Sequence, residues 1–531
     1  MSATVAASPA TEERVWSPGV NSAMLARLAE RADVPVDRDP LPVEAPFSGE
    51  TLAIVPRATP DDMQAACRAA REAQQEWARV PVVERARILL AFHDLLIANA
   101  NEILDIIQLE SGKARRHALE EVLDTAVVAR YYAHTAAGFL RPHRRQGALP
   151  VLTQTVEYHH PKGVVGFVIP WNYPLDLGIT DVIPALAAGN GVVVKPDAQT
   201  PFSTLWAARL LEEAGLPRGI LQIVTGRGAE LGPALIEEID CFMLTGSTAT
   251  GKRVACMAAE RLIDYSLELG GKNALIVLDD ADLGRAVSGT LRGVTANTGQ
   301  LCISIERIYV HSSLHDEFAA RLAEAFAGVR LGSSLTWADD MGSLASADQL
   351  AKVQGHVDDA IAKGATVLAG GRPRPDLGPY FFEPTLLADV PASAVCAREE
   401  TFGPVAALYR FDTEDEVVAQ ANDTTYGLNA SVWTRRSGRG RQLAQRLRCG
   451  TVNVNEAYGA TWSSASPMGG FNESGAGRRH GEHGILKFTE AQTVAVQHVL
   501  AIDTPPFLTH QQYAAVMLRA VKALKYLPGW K

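Results

Sequence analysis

Hydrophobic residues follow two different patterns along the chain. Between residues 61 and 139 they recur at helical spacing, which predicts a series of amphipathic helices. From residue 163 onward, short continuous apolar runs alternate with helical segments. An uninterrupted apolar run is typical of a strand that is covered on both faces. The pattern therefore predicts an α/β protein built on a doubly wound parallel sheet.

Polar and glycine residues collect directly after the predicted strands of this sheet. The strands are expected at 163–169, 192–194, 220–224 and 241–244. Each is followed by a segment of different character: Pro170-Trp171-Asn172, Lys195-Pro196-Asp197, Thr225-Gly226 and Thr245-Gly246-Ser247. In open α/β sheets, ligands bind beyond the carboxyl ends of the strands. The sequence therefore predicts a ligand cleft at this edge.

A second α/β region is predicted after residue 302. Its strands are expected at 305–310, 405–409, 428–433 and 451–454, with helical patterns between them. Residues 457–484 are rich in Gly, Ser and Ala, which predicts a loop over a cleft. Two strand-like segments, 151–160 and 487–500, lie outside both regions, and we expect them to pair with each other as an arm.

Composition narrows the range of functions. The 531 residues, 47% hydrophobic and 21% charged, indicate ordinary globular domains, more than one in number. The formal net charge of -10 argues against a nucleic-acid partner. The six cysteines lie far apart without a Cys-x-x-Cys pair, so neither a disulfide framework nor a metal site is expected, and a cytoplasmic location is favoured. No apolar run reaches the length of a membrane-spanning helix.

The two ends of the chain differ from the rest. Residues 1–40 are predicted to be a flexible tail, because the first residues lack the apolar core of a signal peptide. Residues 501–531 predict an amphipathic helix with basic residues off its apolar face. Such a helix can lie on a membrane surface. Packing against the protein itself or another subunit is the favoured interpretation.

Cys302 is the first candidate for chemistry. It lies just after Gly299, between a helix predicted from Asp282 to Asn297 and a strand predicted from Ser304 to Val310. A thiol on a tight turn at a helix-to-strand junction suits an exposed nucleophile. The alternative is a buried cysteine that fills a small gap, which is the commoner interpretation of a lone cysteine. The choice between an exposed nucleophile and a buried cysteine depends on other residues of the chain.

Two residues upstream favour the nucleophile. Glu268 lies among apolar residues before two glycines, and burial would raise its pKa into the range of a general base. The alternative is a glutamate satisfied by a nearby amide or lysine. Asn172 follows Pro170-Trp171 at a strand end, where its amide is placed to hydrogen-bond a developing oxyanion.

Other residues are candidates for ligand binding. The segment from Gly246 to Gly251 follows a strand and opens a helix, so its amides are placed to meet a phosphate, although it is not a full Gly-x-Gly-x-x-Gly motif. Lys195, at a strand end, is a donor for ribose or phosphate, or an ordinary surface lysine. Glu400 suits a hydroxylated ligand, or is a helix or turn carboxylate.

Together these segments resemble the aldehyde dehydrogenase superfamily. The matching motifs run in the family's order from about residue 45 to residue 500, and within the superfamily the chain is most similar to bacterial succinate-semialdehyde dehydrogenases. The motifs are Pro170-Trp171-Asn172, Lys195-Pro196, Thr245-Gly246-Ser247, Glu268-Leu269-Gly270-Gly271-Lys272, Gly299-Gln300-Leu301-Cys302, Glu400-Thr401-Phe402-Gly403-Pro404 and Pro467-Met468-Gly469-Gly470.

The resemblance implies a domain organisation. It comprises a Rossmann-type NAD(P)-binding domain, an α/β catalytic domain and a small β arm that mediates oligomerisation, so that a homodimer or homotetramer is expected. The boundaries are 41–150 and 161–269 for the first domain, 270–486 for the second, and 151–160 with 487–500 for the arm.

The resemblance also implies roles for the candidate residues. Cys302 would attack an aldehyde carbonyl as a thiolate, Asn172 and the Cys302 N–H would hold the oxyanion, and Glu268 would activate the thiol, the hydrolytic water, or both. The product would be a carboxylic acid, with succinate semialdehyde as the expected substrate. The residues expected to bind the dinucleotide are Trp171, Lys195, Gly246, Ser247, Gly251, Glu400 and Phe402.

Two departures from the family pattern bear on cofactor and substrate. Many NAD-preferring members carry Glu two residues after the Lys-Pro pair, where this chain has Ala198. Without that carboxylate, a 2′-phosphate meets less repulsion, which favours NADP, with NAD use left open by Asp197. Succinate-semialdehyde enzymes have an arginine on the helix after Pro-Trp-Asn, whereas residues 176–181 contain acids and no arginine. The substrate carboxylate would need another partner, for which the loop 457–466 is a candidate.

Three alternatives stay open. The aldehyde could be larger and apolar or aromatic, as the missing arginine and the amphipathic tail suggest. A CoA-acylating enzyme is disfavoured by Glu268, because a hydrolytic base would be a liability there. An inactive binding protein of the family is disfavoured by the presence of Cys302, Glu268 and Asn172 together.

Overall fold

The computed structural model describes residues 14–147, 153–498 and 503–526. Parts of the predicted tails and arm, residues 1–13, 151–152, 499–502 and 527–531, lie outside the described residues. The chain divides into two compact units. One contains the residues up to Phe139 together with Pro161–Phe488, and the other contains Leu140–His160 and the residues from Thr489 onward.

The N-terminal part is mainly helical, as its periodicity predicts. Its elements are β1 (Val15–Ser17), β2 (Val20–Asn21), α1 (Ser22–Ala29), β3 (Pro40–Ala45), β4 (Glu50–Pro56), α2 (Pro60–Trp77), α3 (Val82–Ala98), α4 (Ala100–Ser111), α5 (Arg115–Leu140), β5 (His143–Arg145) and β6 (Thr153–Pro161).

Strands and helices then alternate. The elements are β7 (Val164–Val168), α6 (Asp176–Ile179), α7 (Val182–Ala188), β8 (Gly191–Lys195), α8 (Phe202–Glu213), β9 (Leu221–Ile223), α9 (Gly228–Glu238), β10 (Cys241–Thr245), α10 (Thr248–Glu260) and β11 (Asp264–Glu268).

The second α/β region follows. Its elements are β12 (Asn273–Val277), α11 (Leu283–Thr295), β13 (Ile305–His311), α12 (His315–Ala327), α13 (Ala347–Ala362), β14 (Thr366–Ala369), β15 (Thr385–Ala388), α14 (Val395–Arg398), β16 (Val405–Phe411), α15 (Glu414–Asn422), β17 (Asn429–Trp433), α16 (Ser437–Ala444), β18 (Thr451–Val454), β19 (Gly475–Ala476), α17 (Gly481–Leu486), β20 (Thr489–Gln497) and α18 (His510–Leu524).

The prediction of a flexible tail over residues 1–40 is wrong for the residues from 14 to 40. This segment forms β1, β2 and α1, and Leu25 and Leu28 of α1 are buried. Asn21 caps α1 by accepting a hydrogen bond from the Met24 amide. The segment is short and mixed in polarity, so its apolar face does not stand out in the sequence.

The first sheet carries the predicted parallel strands. Its order is β19-β11-β10-β7-β8-β9, and β7 to β11 run parallel. The register pairs Thr245 with Glu268, Leu244 with Val168, and Val168 with Lys195. The carboxyl ends of β11, β10, β7 and β8 therefore meet at one edge. The antiparallel edge strand β19, which pairs with β11, was not predicted, because two residues leave no periodicity.

The second sheet is covered on both faces. Its order is β14-β15-β16-β13-β12-β17-β18. Alternate residues of β12 enter two separate cores: Leu275 packs in one with Phe318 of α12, and Ile276 in the other with Val417 of α15. Burial on both faces explains why β12 is apolar after its first residue, Asn273. The chain crosses from the first sheet to the second between Glu268 and Asn273.

The other unit contains a three-stranded sheet in the order β20-β6-β5. The two predicted arm segments are therefore neighbours in one sheet, and β5, which was not predicted, adds a third strand. Most side chains of β20 are exposed. The predicted C-terminal helix is present as α18, and none of its described side chains is buried.

Candidate active site

The backbone that leads to Cys302 has an unusual conformation. After α11 ends at Thr295, residues 296–299 form a single 3-10 turn in which Asn297 and Thr298 have φ of 48° and 58°. Gly299 has φ of +71°, and a Cβ there would lie 2.0 Å from the Gly403 carbonyl oxygen. Only glycine accepts both the left-handed conformation and this close approach. The turn that was predicted between helix and strand is thus built around Gly299.

Hydrogen bonds fix Cys302 and Asn172 relative to each other. The Asn172 side-chain amide donates to the Gln300 carbonyl at 3.0 Å, and the Asn297 amide donates to the Asn172 carbonyl at 2.9 Å. The Asn273 amide donates to the Cys302 carbonyl at 2.8 Å. Lys113 also donates to the Asn172 carbonyl, at 2.6 Å. The strand end after β7 and the cysteine turn therefore form one rigid assembly.

Glu268 has a carboxyl oxygen that engages no partner among the described residues. It ends β11 and is 4% exposed. Its Oε1 atom is buried and has no hydrogen-bond partner among the described residues. Burial raises the pKa of Glu268 to about 7, against the opposing charges of Arg479 and Lys487. A carboxyl with this pKa exchanges protons readily near neutral pH.

The Cys302 thiol is held in its protonated form. Burial, followed by the nearby carboxylates Glu268 and Glu400, raises the pKa of Cys302 to about 12, and Arg479 opposes this shift. A thiol is a weak nucleophile until its proton is removed. The site therefore needs a base for Cys302.

Two cavities meet at Cys302 and Asn172, which line both. We call the first the strand-end cleft, because most of its lining follows the strands of the first sheet. It encloses about 700 Å³ including its mouth. It is lined by Pro170, Trp171, Asn172, Thr245, Gly246, Ser247, Glu268, Leu269, Gly270, Cys302, Gln349, Lys352, Glu400 and Phe402.

The wall opposite the strands is positioned by a buried ion pair. Glu306 of β13 pairs with Lys272 and accepts hydrogen bonds from the amides of Thr401 and Phe402. This holds Glu400 against the loop after β11, where it accepts from the Gly271 amide at 2.8 Å. Burial and the charge of Glu306 raise the pKa of Glu400 to about 7.

The strand-end cleft has the features that a dinucleotide needs. Phe402 and Trp171 meet edge to face at 5.5 Å between ring centroids. Ser247 caps α10 by accepting from the Thr250 amide, and Gly246 precedes it at the start of the helix. The N-terminus of a helix favours a phosphate. Aromatic walls, helix amides and the Glu400 carboxyl suit the rings, phosphates and ribose of such a ligand.

Two of the expected cofactor residues do not line the cleft. Gly251 lies inside α10, where a Cβ would come within 2.6 Å of the Leu269 side chain, so it allows close packing of the helix on the loop after β11. Lys195 is 3% exposed at the end of β8, and burial lowers its pKa. Within the described residues its ammonium makes one long hydrogen bond, 3.5 Å to the Gly226 carbonyl. Such a buried donor is poorly satisfied by the protein alone.

The second cavity, the inner cavity, lies on the other side of Cys302 and encloses about 590 Å³ including its mouth. Its lining comes from four separate parts of the chain, and the two acids contributed by α5 were not predicted. It is lined by Glu120, Asp124, Asn172, Tyr173, Asp176, Leu177, Leu301, Cys302, Ile303, Tyr458, Thr461, Trp462, Met468, Arg479 and His480. The glycine-rich segment 457–484 does border a cavity, as its composition predicts.

Sequence reasoning missed Arg479, the arginine of this lining. It is 4% exposed and pairs with Asp181 at 2.5 Å. A terminal nitrogen of its guanidinium also donates to the Thr180 hydroxyl. Burial alone would raise the pKa of Asp181, but Arg479 and Lys487 hold it below its usual value. The only early signal was the adjacent pair Arg478-Arg479 in a segment that is otherwise rich in Gly, Ser and Ala.

Two other features, a metal site and a membrane-spanning helix, are absent from the described residues. The described residues contain no group of three or more His, Cys, Asp or Glu side chains arranged to hold a metal ion. Over the same residues, no helix is long and apolar enough to cross a membrane.

Comparison with known proteins agrees with the expected family. The family model described as "Aldehyde dehydrogenase family" matches residues 34–494. A Mycolicibacterium smegmatis protein named as a putative NADP(+)-dependent succinate-semialdehyde dehydrogenase is 50% identical over 493 residues, which cover 93% of this chain and 95% of the relative.

Solved structures give the same result. A succinate-semialdehyde dehydrogenase from Burkholderia pseudomallei is 35% identical with a TM-score of 0.83, covering 87% of this chain and 95% of that one. An aldehyde dehydrogenase from Bacillus cereus in complex with NAD+ is 35% identical with a TM-score of 0.83, covering 86% and 93%.

Proposed function

The chain belongs to the aldehyde dehydrogenase family, and on that premise we propose that it oxidises an aldehyde to a carboxylic acid through a covalent intermediate on Cys302. The observation that carries the proposal is that Cys302 and Asn172 line both the strand-end cleft and the inner cavity. An aldehyde in the inner cavity and a hydride acceptor in the cleft would meet at this shared wall, with Glu268 beside them.

The first step is nucleophilic addition. The Cys302 sulfur bonds to the aldehyde carbon, and its proton passes to Glu268, whose free oxygen and near-neutral pKa suit it as the acceptor. The carbonyl oxygen becomes an alkoxide. The Asn172 amide uses one N–H for the Gln300 carbonyl, which leaves the other, together with the Cys302 N–H, to stabilise this charge.

The second step oxidises the carbon and releases the acid. When bound in the strand-end cleft, NADP would supply a hydride acceptor. Loss of a hydride would convert the tetrahedral adduct on Cys302 into a thioester. Glu268 releases the proton it took from the thiol to solvent, and then takes a proton from water as the water attacks the thioester carbon; this second proton passes to the departing sulfur. The carbon–sulfur bond breaks, the carboxylic acid leaves and the thiol is restored.

We propose NADP as the preferred cofactor, with NAD as a second possibility. The named activity of the M. smegmatis relative supports NADP. Ala198 follows the buried Lys195 by three positions, where a glutamate would repel a 2′-phosphate. Trp171, Gly246, Ser247, Glu400 and Phe402 would hold the dinucleotide along the cleft. Lys195 does not line the cleft, but its poorly satisfied ammonium makes it the candidate partner for the adenine ribose or its phosphate.

Succinate semialdehyde is the substrate we propose, because relatives in sequence and structure bear that name. The inner cavity also offers the apolar surfaces of Tyr173, Leu177, Trp462 and Met468. These support the second candidate, a larger apolar or aromatic aldehyde.

We further propose a homodimer or homotetramer in the cytoplasm. Exposed Val494 and Val496 on β20 leave apolar surface on the small sheet, which a second copy would cover. All six cysteines are free thiols, as is common in a reducing compartment. Analytical ultracentrifugation tests the assembly, and a monomer at micromolar concentration would contradict it.

The test of the function is a steady-state assay of the purified protein. We expect NADPH formation with succinate semialdehyde and a larger specificity constant than with hexanal or benzaldehyde, and weaker activity with NAD. Product analysis should find succinate, with no requirement for CoA. A strict need for CoA would indicate an acylating enzyme, and absence of turnover with every aldehyde would indicate an inactive binding protein.

A further inference from the structure

Among the described residues, one guanidinium lines the inner cavity, that of Arg479, in the same lining as Cys302. Its backbone is fixed by two hydrogen bonds with Met468, at 2.7 and 3.0 Å, so it lies on a short antiparallel bridge. Its side chain reaches across to Thr180 and Asp181, the two residues between α6 and α7. This is the helical region after Pro-Trp-Asn, where the sequence lacks the expected arginine.

We propose that Arg479 binds the carboxylate of the aldehyde substrate, and so supplies from the segment before α17 the charge that is missing from α6 and α7. The inference rests on the proposed function and deepens it, because it assigns to the inner cavity a class of aldehyde that carries a carboxylate at its far end.

The contacts of Arg479 leave part of its guanidinium available. Nε pairs with Asp181, and Nη2 donates to Thr180. Among the described residues, no hydrogen bond or ion pair involves Nη1. This atom is also not one of the fully buried nitrogen and oxygen atoms that lack a hydrogen-bond partner. Since Arg479 lines the cavity, Nη1 is the donor that a ligand can reach. Arginine binds carboxylates with more than one N–H, which gives both strength and direction.

The balance of charge around Arg479 depends on how many of the surrounding carboxyl groups are ionised. Asp181 accepts from Lys487 at 2.9 Å as well as from Arg479, so two cations share one carboxylate. Asp124 and Asp176 also line the cavity. Each has one buried oxygen without a partner in the described part of the chain. The two carboxyls are in contact, and burial raises the pKa of both.

A carboxyl that keeps its proton is a hydrogen-bond donor. An incoming carboxylate would therefore meet Arg479 and a neutral Asp176 or Asp124. An ammonium group would face Arg479 at close range and would need both acids ionised, at a cost in desolvation. The same residues thus favour a carboxylate over a cationic aldehyde.

The test compares two aldehydes that differ mainly in the carboxylate, succinate semialdehyde and butanal. For Arg479→Gln we expect kcat/KM with succinate semialdehyde to fall by about 10- to 150-fold, the loss of a hydrogen bond to a charged group. The loss of kcat/KM with butanal should be smaller, because butanal has no carboxylate for Arg479 to bind, so the ratio of the two specificity constants should fall. Arg479→Lys should recover part of the loss, and serves if the glutamine variant does not fold.

Lys487→Gln is the matched control, because Lys487 pairs with the same Asp181 but does not line the inner cavity. It should leave the ratio of the two specificity constants unchanged. Asp176→Asn tests the neutral carboxyl: asparagine keeps a donor, so selectivity for succinate semialdehyde should persist.

Three outcomes would overturn the inference. Equal losses with both aldehydes in Arg479→Gln would assign Arg479 to catalysis or folding. Preference of the unaltered protein for 4-(trimethylammonio)butanal, abolished by Asp176→Asn, would make the cavity a cation site. Oxidation of butanal but not of succinate semialdehyde would refute the inference and leave aldehyde oxidation intact, whereas failure with all aldehydes would refute the proposed function itself.

Discussion

The strand-end cleft and the inner cavity share Cys302 and Asn172, yet they are built in opposite ways. The cleft takes Trp171, Gly246, Ser247 and Glu268 from the ends of three neighbouring strands whose register places them together. The cavity takes its lining from α5, the loop and helix after β7, the cysteine turn and the segment from Tyr458 to His480. One is an outcome of sheet topology, and the other depends on how distant segments pack.

The difference has a chemical counterpart. The cleft presents glycines, aromatic rings and the carboxyls Glu268 and Glu400, groups that suit a dinucleotide. The cavity presents a cluster of acids around Arg479, which suits recognition of a particular substrate. We infer that the cofactor side is set by the fold, whereas the substrate side can change by single substitutions.

The largest effect should come from the shared wall. For Cys302→Ala we expect kcat/KM to fall by at least about 10⁴-fold, because no group remains to form the covalent intermediate. The substitution hardly changes the size of the strand-end cleft or the inner cavity. NADP should therefore still bind, as measured by protein fluorescence. Retained turnover would contradict the role of Cys302, and loss of cofactor binding would contradict the separation of the two spaces.

The turn that supports this wall should be intolerant of a side chain. At Gly299, φ is +71° and a Cβ would lie 2.0 Å from the Gly403 oxygen, so Gly299→Ala should lower the free energy of unfolding by at least about 2 kcal/mol. Gly355, inside α13, has open space around its Cβ position. Gly355→Ala should raise that free energy by about 0.5–1 kcal/mol. Urea denaturation measures both, and equal effects would refute the close approach at Gly299.

A change on the cofactor side should leave the aldehyde side alone. Ala198→Glu should reduce kcat/KM for NADP relative to NAD by about tenfold, since a carboxylate repels the 2′-phosphate. The KM for succinate semialdehyde should stay within about twofold. Steady-state kinetics with both cofactors measures this, with Ala198→Gln as the uncharged control. An unchanged cofactor ratio in Ala198→Glu would place the 2′-phosphate elsewhere.

The pH dependence should report Glu268. Its pKa is raised to about 7, so below that pH the carboxyl is protonated and cannot act as a base. We expect kcat/KM to rise with pH, from about tenfold below its plateau at pH 6, and to level off above pH 8. Glu400→Gln should retain this rise of kcat/KM with pH, and Glu268→Gln should lose it. A rise of kcat/KM with pH that persists in Glu268→Gln would report the ionisation of another group.

Much of the fold and most of the cleft could be predicted from the sequence for physical reasons. Parallel strands that are covered on both faces must be apolar, and their ends must carry the ligand residues, so Asn172 and Glu268 were accessible. Strand β19, with two residues, and β11, which begins with Asp264, have no such signature. Arg479 could not be assigned, because its partners Thr180 and Asp181 are about three hundred residues away along the chain.

The same limit explains two misplaced expectations. Gly251 fits a phosphate-binding pattern in sequence, but its place in the structure is decided by the Leu269 side chain that packs on it. Residues 14–40 lack periodicity, but they gain their order from burial of α1. Local pattern predicts elements well when each element carries its own hydrophobic signal, and poorly when the contact is with a distant segment.

The most direct test of the account is the intact mass of Glu268→Gln after mixing with succinate semialdehyde and NADP. Glu268→Gln lacks the base for both thiol addition and hydrolysis, so the adduct should form slowly and then persist. Over a long incubation the protein should gain the mass of one succinyl group on Cys302, together with one equivalent of NADPH per active site. The corresponding Glu268→Gln protein with Cys302→Ala should gain none. Formation of NADPH without any adduct, or an adduct on another residue, would contradict a covalent intermediate on Cys302 at the meeting point of the two cavities.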